Sequence, residues 1–379
     1  MNIIYVAPIF HTNQAPIVKG LLEEGHQVSF ICQYEGKIED HSYYTPYVMG
    51  YSGLFRFFQS FHTLLHRRKK RLHSASYPEA FRDRYGFPPV IRCFRYFREE
   101  EPDLIILRER SVYSIVTYLI CKICRRKCIL YNQTPLWDDA PPRNDLAYKI
   151  VKALTPSVRM TPVLGDPATG YLDETAVYIP FVIEPHLAPG EKTFFKDGRI
   201  HILCVGKFEY RKNHLMLLEV LEKLVPDYPL HLTLVGEMST PYHEQYYQRV
   251  QKYISTHHLE DYVTCHTNCE PDKMSEFYGA ADLFVLPSTG EFASISQLEA
   301  MSYSLPVIVS DTNGTSCYVE NGKNGYLFKN QNQDDLKEKI LAIITDRAAI
   351  PQMGACSYRL VTEKYSLHDY REKIRLLRS

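Results

Sequence analysis

Short apolar runs typical of β-strands alternate with helical stretches along the whole of this 379-residue chain. The run at 104–107, Leu-Ile-Ile-Leu, contains no polar residue, as expected for a strand that is buried on both faces of a parallel sheet. Strands that alternate with helices predict parallel sheets covered by helices on both faces, the α/β class. The chain is also too long for one ordinary core, which favours two domains.

The strand pattern restarts after the Pro- and Gly-containing segment 181–199, which we interpret as an interdomain linker. We therefore predict an N-terminal Rossmann-like domain over 1–184 and a C-terminal Rossmann-like domain over 185–361, facing each other across a cleft. In the second half, strands that end at Gly206 and Gly236 leave room for a ligand at the carboxyl edge of the sheet, where open α/β sheets bind ligands.

Composition narrows the class of protein. Lys+Arg and Asp+Glu balance at 44 each, so we expect no nucleic-acid partner. The chain opens on a strand-like run, without an export signal or the roughly 18 apolar residues of a spanning helix, so we expect a cytoplasmic protein.

Cys121, Cys124 and Cys128 have metal-like spacing, but they extend from a helix into a strand. We interpret them as reduced thiols and predict no metal site.

Two glutamates, Glu291 and Glu299, flank the predicted start of a helix near Ala293 or Ser294. Free N–H groups and the dipole at a helix start favour phosphate oxygens. A carboxylate accepts hydrogen bonds from the vicinal hydroxyls of a ribose or a hexose. The pair therefore indicates a sugar on one side of the helix start and a ribose on the other. The spacing alone favours two solvated charges, but Glu299 lies in an otherwise apolar stretch, where an unpaired carboxylate would be costly.

Three cations, Lys207, Arg211 and Lys212, follow the strand end at Gly206. They could neutralise a diphosphate leaving group, the work that a divalent metal does elsewhere. A solvated basic loop is the alternative interpretation. We expect the turn-containing segment 310–315 to form another loop at the same edge of the sheet.

In order and spacing, these segments resemble the retaining glycosyltransferases of family four, which have the GT-B fold. The similar stretch runs from 202 to about 328 and contains Val-Gly-Lys…Arg-Lys-Asn-His, Leu-Val-Gly-Glu, Ala-Ala-Asp-Leu-Phe-Val-Leu-Pro-Ser, Glu-x7-Glu-Ala-Met, Leu-Pro-Val-Ile and Asn-Gly-Tyr-Leu-Phe. The resemblance implies transfer of a sugar from a UDP- or GDP-linked donor, with retention, without a metal and without a separate cofactor. It also implies a C-terminal helix, which 362–379 would supply, crossing back to the first domain.

The resemblance assigns roles to the residues of the second domain. Glu291 would bind hydroxyls of the donor sugar, and Glu299 would bind the ribose. Arg211 or Lys212, with Lys207, would hold the diphosphate; Lys207 stands where the family usually has Arg, which binds phosphate in a more bidentate way. The predicted donor-binding residues are Gly206, Lys207, Arg211, Lys212, Glu291, Phe292, Ala293, Ser294, Ile295 and Glu299.

The first domain is less similar to the family. Its first loop, 8–14, lacks the usual Gly-rich turn near the diphosphate. Gln133 stands nearest a position where the family often has His, and a neutral amide can hold a hydroxyl but cannot act as a base. This favours a route in which the departing phosphate takes the acceptor proton. His11 is either a base or a structural loop residue. The predicted catalytic residues are Glu291, Lys212, Arg211 and Gln133.

Segment 51–71 bears on the acceptor. Its Phe and Leu residues recur at helical spacing and precede five consecutive cations. This pattern is typical of a helix lying on an anionic membrane surface, although a core-packing helix with a solvated basic end has the same pattern. The predicted membrane-contacting residues are Phe57, Phe58, Phe61, Arg67, Arg68, Lys69, Lys70 and Arg71.

We therefore expect a hexosyltransferase-type enzyme that acts on a polysaccharide or lipid-linked glycan at the inner face of the membrane. A non-catalytic subunit that binds nucleotide sugar and scaffolds a partner is the alternative, which the altered first loop keeps open. A nucleotide-sugar epimerase of the same fold would need acidic and His residues in the cleft that the sequence does not place.

Overall fold

A computed structural model of the chain describes residues 1–10, 12–35, 44–69, 82, 85–108, 111–141 and 145–378. The chain divides into two compact units. One unit comprises Met1–Val182 and Leu367–Ser379, and the other comprises Ile183–Ser366.

The strands are β1 (Asn2–Ala7), β2 (Gln27–Cys32), β3 (Tyr47–Val48), β4 (Leu104–Arg108), β5 (Cys128–Tyr131), β6 (Trp137–Asp138), β7 (Arg159–Thr161), β8 (Tyr171–Leu172), β9 (Ala176–Tyr178), β10 (Ile200–Val205), β11 (Leu230–Gly236), β12 (Val263–Thr267), β13 (Leu283–Leu286), β14 (Val307–Ser310) and β15 (Gly325–Phe328). The α-helices are α1 (Ala15–Glu23), α2 (Gly53–Lys69), α3 (Val90–Glu99), α4 (Val112–Ile123), α5 (Leu146–Ala153), α6 (His214–Glu222), α7 (Pro241–Thr256), α8 (Met274–Ala280), α9 (Ile295–Ser302), α10 (Gln333–Ile344), α11 (Ala349–Arg359) and α12 (Leu367–Arg378).

The first unit contains a seven-stranded parallel sheet in the order β3-β2-β1-β4-β5-β7-β9. Its central strands bury side chains on both faces, since Ile3 and Ile4 point to opposite faces and neither is exposed. One face packs against α1 and α12, and the other packs against α2, α3 and α4. β6 and β8 form a separate antiparallel pair.

The second unit contains a six-stranded parallel sheet in the order β12-β11-β10-β13-β14-β15. The chain order reverses at β10, which lies between β11 and β13. The carboxyl ends of β10 and β13 are therefore neighbours at a topological switch point, the place where open α/β sheets bind ligands. Two parallel sheets with helices confirm the predicted α/β class.

The predicted helix over 362–379 is shorter than expected. A π-helical turn, Leu360–Lys364, follows α11, and the Tyr365 amide donates to the Leu360 carbonyl five residues back at 2.9 Å. The buried Tyr365 ring packs on Tyr318, with 4.5 Å between centroids, which holds the chain out of helical register. α12 begins only at Leu367 and packs within the first unit.

α12 is anchored in the first unit by an interior polar contact and by apolar burial. The Tyr370 and Tyr5 hydroxyls lie 2.9 Å apart, and Ile374, one turn later, is fully buried. Arg371 also pairs with Glu24 at 2.9 Å. Across the described part of the chain, no helix combines the length and apolar character needed to cross a membrane.

Candidate donor site

Glu291 lies in the loop between β13 and α9 and forms ion pairs with both cations of the loop after β10. Arg211 Nη1 donates to Glu291 Oε2 at 2.6 Å, and Lys212 Nζ contacts the same oxygen. Arg211 Nη2 also donates to Glu209 Oε1 at 2.7 Å. Burial lowers the pKa of the Arg211 guanidinium, but the charges of Glu291 and Glu209 outweigh this effect and raise it. The structure thus brings Glu291, Arg211 and Lys212 into one cluster.

The loops around this cluster are held together by backbone contacts. The Thr289 amide donates to the Arg211 carbonyl at 2.8 Å, and the Gly314 amide donates to the Glu291 carbonyl at 2.8 Å. A side chain at Gly314 would place its Cβ 1.8 Å from the Phe292 carbonyl oxygen, so only glycine permits this approach. Segment 310–315 therefore lies against the Glu291 loop.

Lys207 lies outside the cluster. Its Nζ pairs at 2.9 Å with Oε2 of Glu237, which follows β11. Gly206 sits closer to the cluster, because a Cβ there would lie 3.0 Å from Cδ of Lys212. The three cations are close along the chain, but their carboxylate partners come from different strand ends.

The start of α9 carries a buried polar network. Ser294 is the N-cap, and its Oγ accepts from the Gln297 amide at 3.3 Å. The Ser294 amide donates to Thr315 Oγ1 at 3.3 Å, so one predicted phosphate-binding amide is already engaged. Ala293 precedes the cap, and Ile295 is the first helical residue. Phe292 is 77% exposed.

No role was predicted from the sequence for Gln297 or Thr315, although Thr315 lies in the predicted loop 310–315. Thr315 Oγ1 donates to Gln297 Oε1 at 2.7 Å, and Gln297 Nε2 donates to the Thr315 carbonyl at 3.0 Å. Both residues are buried. A lone polar side chain such as Gln297 inside an apolar helix was the available signal, because such a group requires a partner. The network fixes the start of α9 against segment 310–315.

Glu299 lies one turn into α9 and belongs to a different set of contacts. Its Oε2 accepts a hydrogen bond from the Tyr278 hydroxyl at 2.7 Å. Burial raises the pKa of the Glu299 carboxyl, and the hydrogen bond from Tyr278 opposes this shift. Glu291 and Glu299 thus have separate partners.

Gln133 lies in the other unit, just after β5. Its neighbours are fixed by Arg159, which is 2% exposed and donates from Nη1 to Asn132 Oδ1 at 2.8 Å and to the Thr134 carbonyl at 2.6 Å. Arg159 also pairs with Asp173 at 2.9 Å. Nothing in the sequence singled out Arg159. His11 lies outside the described residues.

α2 turns a row of apolar side chains to solvent. Leu54, Phe57, Phe58 and Phe61 are each more than half exposed, whereas Phe55 is 3% exposed and packs on the rings of Tyr51 and Phe87. Among residues 53–61, whose side chains the structure describes, Phe55 is the buried one. The side chains of Arg67, Arg68 and Lys69 are not described, and Lys70 and Arg71 lie outside the described residues.

Among the residues that the structure describes, no group of three or more His, Cys, Asp or Glu side chains is placed to hold a metal ion.

Comparison with known proteins relates the second unit to a family. Residues 190–358 match the model of Glycosyl transferases group 1. The chain is 26% identical over 160 residues to a D-inositol 3-phosphate glycosyltransferase of Pseudarthrobacter chlorophenolicus, covering 41% of this chain and 37% of the relative. It is 30% identical over 161 residues to a poly(ribitol-phosphate) alpha-N-acetylglucosaminyltransferase of Staphylococcus aureus, covering 42% of this chain and 31% of the relative. The chain thus spans well under half the length of these curated relatives.

Among solved structures, Anabaena Alr3699/HepE in complex with UDP superposes with a TM-score of 0.67 at 16% identity, covering 100% of this chain and 99% of that one. At this identity the likeness shows the fold alone, and it confirms the predicted GT-B fold. Family four and a retaining mechanism are consistent with the matched family. Residues 190–358 are thus similar to the glycosyl transferases group 1 family, on a chain with the GT-B fold.

Proposed function

We propose that the protein is a glycosyltransferase that transfers a sugar from a nucleotide-diphosphate sugar and binds this donor at the edge of the second sheet where β10 and β13 end. The observation that carries the proposal is the pairing of Glu291 with Arg211 and Lys212. It joins a carboxylate able to bind sugar hydroxyls to two cations able to bind a diphosphate.

The cluster suits the charge that develops during transfer. The bond from the sugar C1 to the diphosphate oxygen breaks as the acceptor oxygen bonds to C1, and the acceptor proton passes to the departing phosphate. Arg211 and Lys212 would neutralise that phosphate. Retention of the anomeric configuration and independence from metal are part of the proposal, as the family resemblance implies.

Glu291 would hold hydroxyls of the transferred sugar through Oε1, which has no hydrogen-bond partner among the described residues. Glu299 would hold the ribose of the nucleotide. Because Lys207 pairs with Glu237, Lys207 would contact the diphosphate only after this ion pair breaks. The role predicted for Gln133, binding of the acceptor hydroxyl, is a proposal that concerns the first unit alone.

Uridine is the nucleoside that we propose first, because HepE was solved with UDP and has the same fold. A polymer acceptor is supported by the name of the Staphylococcus relative, which acts on poly(ribitol-phosphate). The exposed apolar row of α2, next to the cations at 67–71, supports docking to an anionic membrane. We therefore propose a glycan or lipid-linked acceptor met at the cytoplasmic face of the membrane.

A panel of UDP-, GDP- and ADP-sugars tests the proposal, read by thermal shift and by slow donor hydrolysis. A bound donor at 100 times its Kd stabilises a protein by about 2.7 kcal/mol. We expect one nucleotide class to raise the unfolding temperature and to be hydrolysed. Stabilisation without hydrolysis or transfer to any acceptor would favour a scaffold subunit, and no stabilisation at all would contradict donor binding.

A further inference from the structure

We infer that Tyr278, in α8, is a positioning residue for Glu299. Its hydroxyl holds one oxygen of the Glu299 carboxylate and leaves the other oxygen to the ribose of the nucleotide. The inference rests on the proposed function, in which Glu299 binds the ribose of the donor. It adds a residue outside both motifs that pointed to the site.

The contact is short and interior. The Tyr278 hydroxyl donates to Glu299 Oε2 at 2.7 Å, and Tyr278 is 1% exposed. A carboxylate can only accept, so the direction of the hydrogen bond is fixed. Burial and the nearby Glu299 charge raise the pKa of Tyr278 well above its usual value, so the hydroxyl keeps its proton and remains a donor. Glu299 Oε1 has no partner within the described part of the chain.

Tyr278 is itself rigidly placed. Its ring stacks on Tyr303, with 5.3 Å between centroids and 19° between planes. The Tyr303 ring also stacks on His186, with 4.9 Å between centroids and 23° between planes. The Tyr278 backbone carbonyl accepts from Lys192 Nζ at 2.9 Å, and the next carbonyl, of Gly279, accepts from the same amine at 3.0 Å. The hydroxyl therefore has little freedom to follow Glu299 if the carboxylate moves.

The arrangement suits recognition of a vicinal diol. A Glu side chain has several rotatable bonds, and fixing one carboxylate oxygen sets the direction in which the other accepts. Burial disfavours the ionised form of Glu299, and the hydrogen bond from Tyr278 favours it. Tyr278 thereby supports both the orientation and the charge that a ribose hydroxyl requires. Hydrogen bonds to charged groups are strong enough for its loss to weaken nucleotide binding about tenfold.

The experiment measures the binding of UDP, 2′-deoxy-UDP and 3′-deoxy-UDP by calorimetry. It compares the unaltered protein with Tyr278→Phe, Glu299→Gln and a matched control, Tyr303→Phe, which removes the hydroxyl of the stacked neighbour. We expect the unaltered protein and the control to prefer UDP over at least one deoxy analogue by about tenfold or more. Tyr278→Phe should bind UDP about tenfold more weakly and lose most of that preference.

A merely structural tyrosine would weaken all three nucleotides equally and leave the preference intact, and this result overturns the inference. If Glu299→Gln also kept the full preference, the proposed ribose role of Glu299 would fail as well, so the two failures are distinguishable. Should Tyr278→Phe not fold, Glu299→Asp withdraws the carboxylate from Tyr278 by one methylene and must show the same loss of preference. An unchanged preference in that variant overturns the inference too.

Discussion

Arg211 Nη1 and Glu291 Oε2 are joined by a hydrogen bond of 2.6 Å across 80 residues of sequence. Under the proposed function, the first group binds the donor diphosphate and the second binds the donor sugar. In the free protein they neutralise each other. Donor binding therefore requires an exchange of partners, in which phosphate oxygens take the cations and sugar hydroxyls take the carboxylate.

This exchange of partners predicts that Glu291→Gln strengthens the binding of free UDP but lowers donor turnover. Free UDP should bind about fivefold more tightly, because a carboxylate that competes for Arg211 and Lys212 is gone, a gain on the order of 1 kcal/mol. Donor turnover should fall by about 100-fold, because a neutral amide binds the sugar hydroxyls more weakly than a carboxylate does. Calorimetry with UDP and a kinetic assay of donor hydrolysis measure the two effects.

Glu209→Gln is the matched control, since Glu209 accepts from Arg211 at 2.7 Å but has no assigned sugar contact. It should strengthen UDP binding and retain turnover. Equal turnover in the two variants would show that Glu291 acts only as a counter-ion.

Glu299→Gln should raise the unfolding temperature at pH 8 although it impairs nucleotide binding. Burial raises the folded-state pKa of Glu299 above its usual value of 4.5. The ionised side chain therefore destabilises the fold above that raised pKa, and the penalty disappears as the pH falls towards 4.5. An amide can still accept from Tyr278 without carrying a charge. We expect a gain of roughly 2 °C or more at pH 8.

The gain in unfolding temperature from Glu299→Gln should be smaller at pH 5 than at pH 8, in thermal unfolding without nucleotide. Glu276→Gln, an exposed residue of the same α8, should leave the unfolding temperature unchanged at both pH values. A lower unfolding temperature for Glu299→Gln at pH 8 would mean that the ionised carboxylate stabilises the fold.

Replacing the three exposed phenylalanines of α2, Phe57, Phe58 and Phe61, by Ser should reduce binding to phosphatidylglycerol vesicles by about tenfold or more. The three rings would lose apolar contact with the bilayer, while the buried Phe55 keeps α2 on the core. Co-sedimentation measures the effect. Leu146→Ser, in α5 and also well exposed, is the control. Equal binding of all variants would contradict membrane docking through α2.

Much of the fold could be predicted because strand and helix periodicity are local. Each strand from β1 to β14 that contains an apolar run of four or more residues could be predicted from the sequence. The parallel topology then places the carboxyl ends of these strands at one edge of the sheet. For that reason the amino-acid sequence alone could associate Glu291 with the cations after Gly206. The break at Tyr365 could not be predicted, since it depends on packing against Tyr318, 47 positions earlier in the sequence.

The partners of individual side chains could not be predicted from the sequence either. Lys207 and Arg211 are four residues apart, yet one pairs with Glu237 and the other with Glu291. The spacing along the chain favours a single cation group, whereas the geometry of two different strand ends separates them. Tyr278 and Glu299 likewise meet although they lie on different helices, α8 and α9, and neither residue indicates the other in the sequence.

The central claim is that the Arg211 cluster acts on a nucleotide-sugar donor, and the direct measurement is release of nucleoside diphosphate from the donor that the panel selects. Arg211→Ala should lower kcat/KM by roughly 100-fold or more, because a charge-assisted contact to the leaving group is lost. Arg199→Ala, which removes an exposed arginine just before β10, should leave it unchanged. Equal kcat/KM in Arg211→Ala and the unaltered protein would contradict the account.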